Sequence, residues 1–156
     1  MKRTVSIILA LCVLTLIFTG CTKKAGTVEY NLKTLSSDLQ KSGAFSDILG
    51  EIDQKSVSTL YGVASADVSD CVVLCSTGAT TEEIGLFKCA DADAAARVLK
   101  AAKARIDSQK EAYQSYAPAE IPKLGDAIVR QDGVYVFYIV SADTAKAQAV
   151  LDKQGK

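Results

Sequence analysis

The stretch Val134 to Val140 limits the fold more than any other part of the chain. A β-strand sends alternate side chains to opposite faces of its sheet. One set here is Val134, Val136, Tyr138 and Val140, and the other is Tyr135, Phe137 and Ile139, so both faces are apolar. Neither face can be left to water, and a sheet containing this strand needs something packed on each side. Gln131-Asp132-Gly133 separates the strand from the run Ala127 to Arg130, and Asp-Gly between such runs predicts a hairpin.

A second hairpin is predicted upstream. Cys71 to Cys75 is compact and β-branched, bounded by Asp70 and Ser76-Thr77-Gly78-Ala79-Thr80, and Glu83 to Cys89 forms the returning run. From Asp91, a good helix cap, apolar residues recur at Ala95, Val98, Leu99, Ala102, Ile106, Tyr113 and Tyr116. Arg97, Lys100, Lys103, Lys110 and Glu111 mainly face elsewhere, which predicts a long amphipathic helix ending before Pro118. Leu32, Leu35 and Leu39 lie at helical spacing between a capping Asn31 and a stop at Gly43. Ala44 to Gly62 reads as irregular turns, Ala119 to Gly125 as a connector containing Pro122, and a last helix is expected from about Asp143 to Lys153.

The expected fold class is α+β: a four-stranded, mostly antiparallel sheet from two hairpins packed with helices, in the order helix-ββ-helix-ββ-helix. Laying Ala90-Asp91 on Ala142-Asp143 also aligns Ala95 with Ala147, Val98 with Val150 and Leu99 with Leu151, so a ββα duplication competes with coincidence in Ala-rich sequence. Two arrangements would satisfy the last strand. In one, the long helix covers one face and the Leu32/Leu35/Leu39 helix the other; in the second, part of one face receives a protein partner or a second copy of the chain.

The N-terminus carries a different signal. Lys2 and Arg3 precede an uncharged run from Thr4 to Gly20, whose strongly apolar part, Val5 to Phe18, has 14 residues. A helix crossing a bilayer core needs roughly 20. The pattern fits an export signal, and its end, Phe18-Thr19-Gly20-Cys21, is similar to a bacterial lipobox, although Phe18 stands where such boxes usually carry Leu. Cleavage between Gly20 and Cys21 would leave Cys21 to accept a diacylglycerol as a thioether. Its two acyl chains, at about 0.8 kcal/mol per buried CH₂, give stable anchoring where one is marginal. An ordinary signal peptide with an incidental cysteine and an uncleaved anchor helix are the alternatives, and both still export the domain. The expected organisation is a signal peptide over 1–20, lipidated Cys21 and a short tether over 21–29, and a single domain over 30–156, at the outer face of the cell membrane.

Composition narrows the function. Eighteen basic and eighteen acidic residues cancel, and removal of Lys2 and Arg3 makes the mature part mildly acidic, so the field expected of a nucleic-acid binder is missing. With 49% hydrophobic residues the chain should fold, and with no His it cannot build Ser-His-Asp or Cys-His catalysis or use the commonest zinc ligand. No Gly-rich phosphate loop or nucleophile elbow occurs. No metal site and no cofactor beyond the diacylglycerol on Cys21 is expected.

Several segments together resemble a known family, the small lipoprotein domains catalogued as domain of unknown function 4358 and common in Gram-positive anaerobes. They are Ser42-Gly43-Ala44-Phe45-Ser46, Leu60-Tyr61-Gly62, Gly78-Ala79-Thr80 before Glu82-Glu83-Ile84, the Asp91/Asp93 helix start, Tyr116-Ala117-Pro118 and the final hairpin. The resemblance covers roughly Leu32 to Leu151. It implies an exported, lipid-anchored α+β domain and supplies no activity or site residues. Cys71, Cys75 and Cys89 are not expected of that family.

On a strand Cys71 and Cys75 stand about 13 Å apart, too far for one disulfide or one shared ion. A Cys71–Cys89 bridge would require the hairpin register to oppose them; otherwise the thiols serve as small apolar residues. Asp91 and Asp93 read as a helix start rather than a cation pair. Glu82 and Glu83 point to opposite faces of a strand and cannot act together, with Asp126 the one further carboxylate considered. Tyr113 and Tyr116 read as packing residues rather than a carbohydrate platform. Two functions follow from different classes: a non-enzymatic membrane-anchored binding or envelope-associated domain, or a small cell-surface hydrolase using carboxylates or a thiol.

Overall fold

The computed structural model describes residues 28–154. Helix α1 (Leu32–Lys41) is followed by β1 (Gly50–Glu51), α2 (Gln54–Tyr61), β2 (Val68–Cys75) and β3 (Glu83–Cys89). Then come the long α3 (Ala92–Tyr116), the short α4 (Ile121–Gly125), β4 (Ile128–Asp132), β5 (Tyr135–Val140) and α5 (Thr144–Gln154). The fold is α+β, with five strands in the order β1-β2-β3-β5-β4 and every neighbouring pair antiparallel.

The sheet therefore has one strand more than the four expected from sequence. Within the segment read as irregular, Gly50 and Glu51 pair with Cys75 and Leu74, and the Ile52 amide donates to the Val73 carbonyl at 3.0 Å. Two residues carry no periodicity, so this strand exists through its partner alone. The same segment also contains α2, started by Asp53, whose carboxylate accepts from the Lys55 and Ser56 amides, and ended by Gly62 at φ 64°. The expected connector is helical as well, with Pro122 in the first turn of α4, where its missing N–H costs nothing.

Both faces of β5 are covered by the chain itself. On one side Leu32, Leu35 and Leu39 of α1, with Ala147 and Leu151 of α5, pack over Ile84, Leu86, Tyr135, Phe137 and Ile139. On the other, Ala95, Val98, Ala102 and Ile106 of α3, with Val57 and Tyr61 of α2, pack over Phe87, Val136, Tyr138 and Val140. The small alanines on α3 let that helix approach the sheet closely. Every residue of β5 is buried, so the apolar sheet face considered for a partner or homodimer is already closed by helices.

The hairpin at Gly133 forms with a two-residue loop, Asp132 pairing with Tyr135. Gly133 has φ 57°, and no non-glycine residue among those described has positive φ, so only the first loop position is left-handed, the pattern of a type II′ turn. The candidate ββα duplication is not carried by the structure. β3 and β5 are antiparallel neighbours, so a repeat would relate them by a twofold axis normal to the sheet, which preserves faces. The alignment that sets Ala90 on Ala142 sets Phe87 on Ile139, and these two face opposite layers. The helices that follow the hairpins, α3 and α5, also lie on opposite sides.

Candidate functional site

The richest polar chemistry gathers where β3 begins, at Thr80-Thr81-Glu82-Glu83. Strand alternation separates the two carboxylates as expected, yet both are almost wholly buried, at 1% exposure each. Carboxylates so placed must be hydrogen-bonded or paired.

Glu83 points to the α2/α3 side. Its Oε1 accepts from the Tyr61 hydroxyl and from Arg105 Nε at 2.9 Å, and its Oε2 from Arg105 Nη2 at 2.6 Å and Gln109 Nε2 at 2.9 Å. Arg105 and Gln109 lie one turn apart on α3, so a single helix face supplies both. The guanidinium also sits over the Tyr61 ring, 5.1 Å from its centroid. Burial works against the charge of Arg105, but the hydrogen bonds and charge of Glu83 outweigh it and hold its pKa above the ordinary value. Tyr61 reaches Glu83 across Gly85, where a Cβ would stand 2.6 Å from the Tyr61 oxygen. Glycine at that position is what lets the ring pass.

Glu82 points to the other side and holds the loop after α1. It accepts from the Ser46 amide at 2.8 Å, the Ser46 hydroxyl, the Asp47 amide at 3.0 Å and Lys123 Nζ at 2.9 Å. Burial raises its pKa, but the bonds from Ser46 and Lys123 prevail and the net displacement is downward. Lys123 also reaches Glu120 at 3.0 Å, and Glu120 accepts from the Thr81 amide at 3.0 Å. The loop between β2 and β3 is tied to α3 by Tyr113, whose hydroxyl donates to the Thr80 carbonyl at 2.8 Å, and by Tyr116, which donates to Gly78 at 3.1 Å. The two rings lie 4.8 Å apart.

Between this loop and α3 opens a cavity of about 270 Å³, lined by Cys75, Thr80, Glu83, Arg105, Gln109 and Tyr113 among others. Gln109 Oε1 and the Tyr138 hydroxyl are both inaccessible to solvent and have no hydrogen-bond partner among the described residues. Burial, then the charge of Glu83, pushes the Cys75 thiol up to about 12. It is a protonated thiol, poorly suited to nucleophilic attack.

The other residues singled out from sequence fall elsewhere. Gly20 and Cys21 lie outside the described residues. The β2–β3 register opposes Cys71 to Phe87 and Cys89 to Val68, so the Cys71–Cys89 bridge is not formed and Cys71, Cys75 and Cys89 are all free. Asp91 caps α3 by accepting from the Ala94 amide at 2.7 Å, and Asp93 sits in the first turn. Asp126 follows α4, with its carbonyl accepting from Thr144. Sequence reasoning missed Tyr61, Arg105, Gln109 and Lys123. A usable signal existed for two of them: Arg105 and Gln109 share the helix face of the apolar stripe that includes Val98 and Ala102, and a polar residue on such a stripe needs a buried partner.

These features define an α+β domain with two separately saturated buried carboxylates and a small cavity beside one of them. The family model described as Domain of unknown function (DUF4358) matches residues 41–141, more than half of the chain, and the chain belongs to that family. Comparison with curated proteins gave no match, and comparison with solved structures gave none. Among the described residues no helix is long and apolar enough to cross a membrane.

Proposed function

We propose that this chain is an exported lipoprotein, cut between Gly20 and Cys21 and held at the outer face of the cell membrane by a diacylglycerol on Cys21. Its domain binds a partner or ligand, or serves the envelope, without catalysis. The observation that carries the reading is the charge-free run after Lys2-Arg3 ending in Thr19-Gly20-Cys21. The chemistry of the domain supports the non-enzymatic half. Among the described residues Glu82 and Glu83 accept from several protein donors each and burial raises the pKa of the Cys71, Cys75 and Cys89 thiols, so none of these five groups stands ready as the acid, base or nucleophile that the hydrolase reading needs.

Labelling cells with a radioactive fatty acid tests the anchor. The wild-type chain should take up label and sediment with membranes, whereas Cys21→Ala should remain unlabelled and unprocessed. A native product that begins at Met1, carries no lipid and stays in the cytosol would overturn the reading.

A further inference from the structure

Two edges of the sheet are left without a neighbour, and they match each other. β1 meets β2 only at Leu74 and Cys75, and the Ile52 amide donates to the Val73 carbonyl before Asp53 turns the chain into α2. From Val72 back to Val68, β2 has no strand on that side among the described residues. Backbone groups alternate sides along a strand, so Cys71 turns its N–H and C=O to the same edge as Val73. β4 borders the sheet at its other end. Its hairpin closes on Asp132 and Tyr135, so Arg130 and Ile128 also bond to β5, and Val129 turns its N–H and C=O outward. β4 contains no Pro, no Lys and no bulge, the usual guards of such an edge.

We propose that β4 of one copy pairs with the open stretch of β2 in a second copy, antiparallel, with Val129 opposite Cys71. The sheet itself supplies the direction, because three antiparallel steps separate β2 from β4. This register sets Arg130 against Asp70 and Ile128 against Val72. Each pair also shares a face. Ile128 and Val72 belong to the α1/α5 layer, where Arg130 lies over Phe137 and Asp70 beside Tyr30, while Cys71 and Val129 border the α2/α3 layer. Neither Arg130 nor Asp70 has an ion pair among the described residues, and Asp70 is exposed. A shift of two residues would set Asp70 against Asp132 and Arg130 against Val72. The fullest pairing of β4 with the β4 of another copy would set Arg130 against Arg130. Charge therefore selects both the partner edge and the register. β1 leaves β2 at Val73, where the incoming β4 would begin, so the two occupy successive lengths of one edge. The contact is head-to-tail and leaves an open edge at each end, which gives a ladder of species rather than a closed dimer. It concerns the edges of the sheet, not its covered faces, and is independent of the anchor on Cys21.

The test uses the full chain in detergent micelles. Val129→Cys, oxidised with copper phenanthroline, should give a ladder of linked copies, because such a pair holds its Cα atoms about 5.5 Å apart, within disulfide reach. Peptide mapping should place the link between residues 71 and 129, and Val129→Cys/Cys71→Ser should lose it. Sedimentation supplies a second arm. Arg130→Glu alone and Asp70→Lys alone should each weaken self-association roughly tenfold or more. Mixing these two variants should restore it, since the β4 edge of the first then meets the β2 edge of the second with opposite charge; a misfolded variant would gain nothing from mixing. A chain that stays monomeric at every concentration, links joining 129 to 129, self-association indifferent to both charge reversals, or a mixture no better than its components would each overturn the pairing. All four leave the lipoprotein reading standing, and failure of fatty-acid labelling with the ladder retained counts against the anchor alone.

Discussion

Gly85 has room for a hydrogen where any other residue places a carbon. A Cβ there would lie 2.6 Å from the Tyr61 oxygen and 3.0 Å from the edge of Phe87, and Tyr61 cannot swing away without breaking its bond to Glu83. Gly85→Ala should therefore cost about 1–3 kcal/mol in urea denaturation. In a Tyr61→Phe background the nearest clash is gone, and the added penalty should shrink by about 0.5 kcal/mol or more. Strictly additive penalties would show that the strain lies elsewhere. The thiols give a second expectation at this scale. Burial lifts Cys75 to about 12 and Cys89 to about 11, and raises Cys71 as well. At pH 8 these three should react with a disulfide reagent roughly tenfold or more slower in the native protein than after unfolding in guanidinium. Equal rates would contradict the burial seen here. The Glu83 cluster was hidden from sequence inspection because its donors lie 22 and 26 residues from the carboxylate on two other elements. The separation of Glu82 from Glu83, by contrast, follows from strand alternation and needs nothing distant.

The elements differ in how far local chemistry determines them. The second hairpin is announced by Gly133, and α3 by Asp91 and its apolar period, because turn geometry and capping are settled within a few residues. β1 is not, since Gly50 and Glu51 become a strand only when Leu74 and Cys75 offer an edge. α4 was masked by Pro122, which reads as a breaker until its first-turn position is known. Glu82 joins three of these pieces, fastening the loop after α1 and helix α4 to β3. Its folded pKa lies below the ordinary 4.5, so its contribution is complete above that value and fades as pH falls through the folded one. Stability measured by urea denaturation should accordingly decline from about pH 5 downward. Glu82→Gln should cost about 1–3 kcal/mol at neutral pH, through loss of charge on buried donors, and should flatten that decline. An unchanged acid slope in the variant would assign the effect to other carboxylates.

At the scale of the whole molecule, β3 and β5 occupy the middle of the sheet, with helices over both sides and a strand on either flank. Backbone amides such as those of Leu86 and Phe137 should exchange with solvent only through global unfolding. Gly50 and Glu51 on the two-residue edge should exchange far faster, and hydrogen-exchange mass spectrometry or NMR would show a reversed order if the sheet were assembled differently. The need for two covering layers was readable in Val134 to Val140 alone, but the choice between helices and a partner required the tertiary structure. The chain enters at Val28, where Tyr30 packs on Tyr135 and bonds to Asp132, beside the Asp70 and Lys88 ends of β2 and β3. Five residues along β2, about 17 Å away, lies Cys75 at the cavity. A tether joined ahead of Val28, as the lipoprotein proposal has it, would therefore pull on the end of the sheet remote from that opening.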